Sequence, residues 1–202
     1  MVIFMRKQLL ALTLTLLSAS LSSQAAVSNA QLSFSWVGTV PPATVAGSGW
    51  KFTDLLGNDF VPRAQTLQVI TDADQKVNFI TSQPVVFNLT SNNTNNLNRL
   101  DAYLAGQPNV TGLVGNKQLA LTQTFTAPGD DEMLVSLNQQ ALKVGDTNKV
   151  QIASCASSTS CTVGLMLHAK VTQSNVAHGS TVNFTTPVVF AVDLASSSGQ
   201  QP

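Results

Sequence analysis

The sequence predicts an all-β protein. Short runs rich in Val, Ile, Phe, Thr and Leu alternate with clusters of Gly, Pro, Asn, Asp and Ser, which is typical of strands joined by turns. No segment keeps a 3.6-residue apolar period with helix caps. Apolar residues make up 44% of the chain, which is enough to build a packed core and argues against a disordered chain.

The N-terminal 25 residues predict a secretory signal peptide. Arg6 and Lys7 precede an apolar run that is too short to cross a bilayer, and Ser23-Gln24-Ala25 fits the small-x-small cleavage rule. Cleavage after Ala25 would leave an exported chain.

Charged residues are scarce, at 10% of the chain against about 25% in ordinary globular domains. Without Arg6 and Lys7, eight basic residues remain against ten acidic ones, a formal charge of −2. This balance predicts neither a nucleic-acid partner nor attraction to anionic lipid.

Ten segments have the composition of strands. In chain order they are 30–40, 49–53, 65–71, 76–81, 84–90, 118–126, 133–137, 148–154, 162–172 and 182–194. The segment 92–109 is different, because it could hold a short helical turn around 97–104 or form a long surface loop.

Two stretches of the chain have similar sequences. "VNFITSQPVVFNL" (77–89) and "VNFTTPVVFAVDL" (182–194) share an opening Val-Asn-Phe and a later Pro-Val-Val-Phe, offset by two residues. A true repeat would recur more widely, so we interpret the pair as two independent solutions for a buried strand. Each Pro lies at a strand start or in a break, where a missing donor does least harm.

The two cysteines predict a structural disulfide. Cys155 and Cys161 flank a Ser/Thr-rich loop between two apolar runs, and we expect them to join across a hairpin. Closing so small a loop stabilises by about 2 kcal/mol on the chain-entropy model. The spacing is not Cys-x-x-Cys, and the chain has no second pair to complete a zinc site.

Catalytic and metal-binding patterns are not found. His168 falls in an alternating run and His178 in a turn, and neither has a companion at ligand spacing. The acidic stretch 130–132 is more typical of a solvated turn than of a calcium loop or an acid/base pair. We therefore expect no enzyme, no metal and no cofactor.

One face of the stretch 30–40 is apolar. Its even positions are apolar or small and its odd positions mostly polar, and Pro41 and Pro42 end it because neither has a backbone N–H. It could be the first edge strand of a sandwich, folded on its own core. It could instead be donated to another molecule, gaining main-chain hydrogen bonds and placing alternate side chains in pockets.

"LSFSWVGTVPP", directly after the signal peptide and followed by "ATVAGSGWKF", resembles the N-terminal donor segment of fimbrial subunits assembled by the chaperone-usher route in Gram-negative bacteria. The low charge and abundant Thr, Asn and Ser are also similar to that family. The resemblance implies an all-β, immunoglobulin-like sandwich that lacks its last strand and is completed by a donated strand. The implied donor residues are Leu32, Phe34, Trp36 and Val40, with Gly38 where the groove narrows.

The resemblance also implies a division of the chain and a set of partners. The chain divides into a signal peptide (1–25), a donor-strand extension (26–42) and a pilin-like domain (43–202). Its partners would be other copies or related pilins, a periplasmic chaperone, an outer-membrane usher and a host receptor. It would pass through the periplasm to a surface fimbrium that supports adhesion. Two alternatives stay open, a minor or tip adhesin that binds a host glycan or protein, and a self-contained periplasmic β-sandwich.

Overall fold

The computed structural model describes residues 49–194, with the backbone but not the side chains of 153–157. Its strands are β1 (Trp50–Thr53), β2 (Leu67–Thr71), β3 (Lys76–Thr81), β4 (Val85–Ser91), β5 (Leu97–Leu104), β6 (Asn109–Thr111), β7 (Ala120–Leu121), β8 (Glu132–Leu137), β9 (Gln140–Ala141), β10 (Val150–Ser158), β11 (Ser160–Thr172), β12 (Asn183–Thr185) and β13 (Val188–Leu194). Three short 3₁₀ helices lie at Val114–Asn116, Asp146–Asn148 and Gln173–Asn175. Within 49–194 there is no helix of the length and apolarity that a membrane span requires.

The larger sheet is built around β11. β3 and β4 follow one edge of β11 end to end, since residues 168–172 pair with 76–80 and residues 160–165 pair with 85–90. Pro84 lies in the break between them, where a missing N–H removes no ladder bond. β2 and β1 in turn pair antiparallel with β3 and β4. The opposite edge of β11 pairs with β8, to which the short strands β7 and β9 are attached.

The second sheet has three strands in the order β10-β5-β13, all antiparallel. β12 pairs with β6 in a separate two-stranded ribbon. Only Thr159 separates β10 from β11, yet these two strands belong to different sheets. The hairpin expected around the cysteines is therefore wrong, because the chain crosses here from one layer to the other.

The core lies between the two sheets. Leu89, Leu104, Met133, Leu137 and Leu142 are fully buried. They belong to one continuous apolar cluster that draws on strands of both sheets. Two facing layers that share one core confirm the all-β class and the immunoglobulin-like sandwich.

The helical alternative for 97–104 is wrong, because this segment is β5, the centre of the second sheet. Leu97 and Leu100 are both 1% exposed, although an odd spacing should place them on opposite faces of a strand. The ladder with β13 skips Asn98, so Asn98 is an extra residue in a bulge. The bulge turns both leucines inward. Two buried residues three positions apart are also the spacing of a helix, which is why the sequence allowed a helical turn here.

Other boundaries also differ from the sequence prediction. Of 118–126 only Ala120–Leu121 is a strand, and 182–194 is two strands separated by Thr186-Pro187. β6 and β9 were not predicted, because two or three residues carry too little periodicity to be read. The predicted strand at 30–40 lies outside the described residues.

Candidate functional site: the open edge of β13

β13 carries one open edge in the described part of the chain. It pairs with β5 on one side, and no strand of residues 49–194 pairs with its other side. β1 pairs with β4 alone in the same range. An open edge presents a row of N–H and C=O groups that can bind a further strand.

β13 and β1 come close to each other across the sandwich, and the region beside their open edges is called the gap. The ring centroids of Phe52 on β1 and Phe190 on β13 are 5.3 Å apart. Gly49, just before β1, lies next to Leu194, the last residue of β13. A Cβ atom added to Gly49 would be 2.9 Å from Cδ1 of Leu194. A strand added to the open edge of β13 would therefore have the side chains of β1 close by.

The face of β13 that points into the sandwich is apolar and incompletely covered. Val188, Phe190, Val192 and Leu194 all pack against the core cluster, but each is only half-buried. A strand paired on one edge leaves such side chains partly exposed to water, and a second neighbour would complete their burial. The site therefore suits an extended segment with apolar residues at alternate positions.

A group of aromatic rings forms the floor of this gap. Phe87 of β4 lies at its centre, with ring centroids 5.7 Å from Phe190, 5.9 Å from Phe52 and 4.7 Å from Phe60. Trp50 extends the group through an edge contact of 5.1 Å with Phe52. Most of these contacts are edge-to-face, the arrangement that aromatic pairs favour, so the floor is a packed apolar surface.

The inner face of the larger sheet is also uncovered beneath β2. Val69 pairs with Phe79 and so shares its face, yet Val69 is 58% exposed while Phe79 is buried. A cavity of about 240 Å³ lies here, lined among others by Val69, Phe79 and Val182. The cavity marks a second place where this sandwich is not closed.

Charged groups gather near the turn between β2 and β3. Nζ of Lys76 is 2.6 Å from Oδ2 of Asp130, and Nζ of Lys170 is 3.6 Å from both Asp72 and Asp130. The bond from Lys76 lowers the pKa of Asp130, and the same bond raises the pKa of Lys76. The backbone N–H of Lys76 donates to Asp72 and lowers the pKa of that carboxyl.

Asp131 ties three segments together beside this group. Its carboxylate accepts hydrogen bonds from Thr172 N at 3.0 Å, from Asn175 Nδ2 at 3.0 Å and from Lys117 Nζ at 3.1 Å. Burial raises the pKa of Asp131, but these donors outweigh burial and hold the pKa below its ordinary value. The acidic stretch 130–132 is thus a structural junction as well as a turn.

His168 lies on a strand and His178 in a turn, as predicted. Nε2–H of His168 donates to Oδ1 of Asn78 at 3.1 Å. Burial and the nearby Lys170 lower the pKa of His168, which favours the neutral ring. Among the described residues no group of His, Cys, Asp and Glu has the arrangement of a metal site.

The predicted donor residues Leu32, Phe34, Trp36, Gly38 and Val40 lie outside the described residues. Cys161 is a buried residue of β11. Cys155 lies on β10, in the stretch whose side chains are not described. The disulfide between them stays a prediction.

The open edge of β13 was not found by reasoning from the sequence. Its apolar run looks like any buried strand, because periodicity reports burial and not whether both edges are paired. The similarity between 77–89 and 182–194 gave no signal either, because the first stretch becomes β3 and β4, each of which is paired on both edges.

Comparison with known proteins finds a relative that aligns with most of the chain. The chain is 33% identical over 205 aligned positions to a CS5 fimbrial subunit of Escherichia coli, covering 94% of this chain and the whole of that protein. No family model matches the sequence.

Proposed function

From the finding that this chain belongs to the chaperone-usher fimbrial subunits, we propose that it polymerises into a pilus by donor-strand exchange. It is a structural pilus subunit, and assembly with other subunits follows from that role. In the proposed exchange, the N-terminal extension of one copy fills the gap beside β13 of the next. The main-chain hydrogen bonds of the added strand would supply affinity, and its alternate side chains would supply specificity.

The observation that carries this proposal is the open, apolar edge of β13. Its four inward side chains are half-buried, and no strand of residues 49–194 covers its free edge. The segment 32–40 offers the complementary pattern, with apolar or small residues at every second position. Burying the four larger donor side chains is worth roughly 6 to 12 kcal/mol as an upper bound.

The path of the subunit to the surface belongs to the same proposal. After cleavage of residues 1–25, a periplasmic chaperone would occupy the gap beside β13 and keep the edge from aggregating. An outer-membrane usher would then receive the subunit and add it to the growing fimbrium. At the cell surface the fimbrium would support adhesion to a host receptor.

A charge placed on the oily face of the donor segment tests the proposal. Trp36→Asp and Phe34→Asp should each abolish polymerisation, because an unpaired carboxylate would enter an apolar gap. Ser33→Asp is the matched control, since residue 33 lies on the opposite face of the same stretch. Fibre yield by electron microscopy and by heat-resistant ladders on gels is the measurement.

We expect normal fibres from Ser33→Asp and none from the other two variants, with the subunit still exported. Wild-type levels of fibre from Trp36→Asp and Phe34→Asp would mean that this segment is not the donor.

A further inference from the structure

Exposed apolar side chains are concentrated on one side of the larger sheet. Eight large apolar residues within 49–194 have well-exposed side chains, and six of these lie on β2, on β4 or in the connection from β1 to β2. These six are Leu55, Leu56, Val61, Val69, Ile70 and Val86. They share the side of β11 on which β1 and β2 lie. Exposed apolar surface that is gathered in one place marks an interaction site.

The most prominent part of this surface is the turn 54–58, which follows β1 and is here called the leucine turn. Leu55 is 63% exposed and Leu56 is 87% exposed, the highest values among the large apolar residues of 49–194. Two neighbouring leucines in water are costly unless another surface covers them. The leucine turn is therefore an apolar projection that lacks a partner surface within the described part of its own copy.

Hydrogen bonds hold the leucine turn in one shape. Oδ1 of Asp54 accepts from the backbone N–H groups of Leu56 and Asn58, each at 2.9 Å. The N–H of Asp54 donates to the carbonyl oxygen of Asn58 at 2.8 Å. Nδ2 of Asn88 on β4 donates to the carbonyl oxygen of Asp54 at 3.2 Å, which ties the turn to the sheet. The leucines are thus presented by a preformed turn, so little ordering is needed when they bind.

The cavity of about 240 Å³ beneath β2 has matching properties. Its walls include the apolar residues Val69, Val77, Phe79, Val176 and Val182. It opens to the surface where Val69 is more than half exposed. An apolar cavity of about 150 Å³ can hold a benzene molecule, so this one has room for a leucine side chain and part of a second.

Polar groups frame both surfaces. Asn58 and Asp59 follow the two leucines in the chain and are exposed. Gln173 and His178 line the cavity beside its apolar walls. An apolar centre with a polar rim is the usual make-up of a protein–protein contact.

The leucine turn and the cavity lie at different levels of the sheet. Asn88, which anchors the turn, pairs with Thr162 of β11, whereas Phe79 in the cavity wall pairs with Ala169. Seven residues of β11 separate these levels, or roughly 23 Å. Two different surfaces at two levels suit a heterologous contact, in which the projection of one copy meets the cavity of another and the contact repeats along a filament.

We infer that the leucine turn of one copy docks in the cavity beneath β2 of another copy in the fibre, with Leu56 against Val69 and Phe79. This contact goes beyond the proposed function, because it lies outside the open edge of β13. A second copy is the partner because a structural pilus subunit is packed among copies of itself. The mature chain has a formal charge of only −2, so repulsion between copies is weak.

A pair of cysteines in assembled fibres tests the contact. Fibres carrying Leu56→Cys and Val69→Cys are assembled under reducing conditions, oxidised mildly and then dissociated by heating in acid, so that only covalent links remain. Both side chains are more than half exposed, so the domain should tolerate both changes. On non-reducing gels we expect a ladder of dimers and higher multimers.

The matched control combines Leu56→Cys with Ile70→Cys. Ile70 is the next residue of β2 and is also exposed, but neighbouring residues of a strand point to opposite faces, so Ile70 faces away from the cavity. We expect about tenfold less cross-linking from the control, because a disulfide requires closely placed Cβ atoms that point towards each other. Each single-cysteine variant controls for exchange with Cys155 and Cys161.

The outcomes separate this contact from the proposed function. Preferential cross-linking of the Ile70→Cys control, or no cross-link from either pair in fibres that do form, would overturn the contact and leave donor-strand exchange standing. A cross-link confined to single chains would overturn docking between copies. If Val69→Cys blocks assembly, Ala177→Cys at the exposed wall of the cavity replaces it.

A wild-type chain that forms no fibres would count against the proposed function alone. The same cysteine pair would then be oxidised in a concentrated solution of the mature chain. Cross-linked dimers there would support the contact, and monomers would overturn it.

Discussion

At the scale of single residues, Asp131 shows how a sparsely charged protein uses its few charges. It has a positive φ of 56°, a conformation that Asp and Asn tolerate better than most residues. Its carboxylate joins the start of β8, the end of β11 and the loop that holds Lys117. Three donors converge on one carboxylate, so its ionised form stabilises this end of the domain.

Asp131→Asn should lower stability by about 1 to 2 kcal/mol at neutral pH, because it removes the charge while keeping one acceptor oxygen and the backbone conformation. The folded-state pKa of Asp131 is depressed below 3.8. The contribution is therefore present above the unfolded-state pKa and is lost as pH falls through the folded-state value. The melting temperatures of wild type and variant should differ at pH 7 and converge as the pH falls through the depressed folded-state pKa of Asp131.

The exposed Asp59→Asn is the control for that measurement. Among residues 49–194 the carboxylate of Asp59 pairs only with the surface residue Lys51, an interaction of a kind that contributes little. A difference between wild type and Asp131→Asn that stays constant down to pH 2 would show that Asp131 does not act through its charge.

At the scale of elements, β5 is the strand on which the second sheet depends. It pairs with β10 on one edge and β13 on the other. The bulge at Asn98 places Leu97 and Leu100 in the core together. β5 therefore holds β13 in position, and the open edge with it.

Leu100→Ala should destabilise the domain by about 2 to 5 kcal/mol, since it removes a side chain that is 1% exposed and leaves a cavity. Leu56→Ala is the matched control, because Leu56 is 87% exposed and should change stability by less than about 0.5 kcal/mol. Urea unfolding of the mature chain measures both. Equal effects of the two substitutions would show that β5 is not part of the core.

At the scale of the whole molecule, β13 leaves one edge unpaired among residues 49–194. Cα atoms of paired strands lie about 5 Å apart, and completing a pair along β13 would bury its half-exposed apolar face. Each connection would then join the strand of one copy to the open edge of the next copy. Such a heterologous contact uses two different surfaces, as a filament requires.

A mature chain with an extra copy of residues 26–42 fused after Pro202 through a flexible linker should be closed on itself. Closing the gap should stabilise by several kcal/mol and raise the melting temperature by roughly 10 °C or more. The fused chain should also lose any tendency to polymerise. Calorimetry and size-exclusion chromatography measure the two effects.

The same fusion carrying Trp36→Asp in the added copy controls for the linker and for added length. It should melt near the temperature of the unfused chain. If the intact fusion also melts there, the domain is already complete without a donated strand.

The class of the protein and many of its strands could be predicted from local pattern. Runs of β-branched and aromatic residues between turn residues identified β3, β4, β8 and β11 to within a few residues. The missing N–H of proline explains the predicted break at Pro84, whereas 182–194 was predicted as one strand and Pro187 divides it into two. The donor residues and the disulfide stay predictions from the sequence.

The sequence by itself determined a β-rich chain with few charges, and it predicts export and an apolar strand near the N terminus. Only the tertiary structure decided which strands became neighbours. Pairing joins residues far apart in the chain, and nothing in a strand's own composition reports whether its second edge is occupied. For that reason the segment 97–104, with its helix-like spacing, is the central strand β5. The segment 188–194, which has the sequence of an ordinary buried strand, has an open edge.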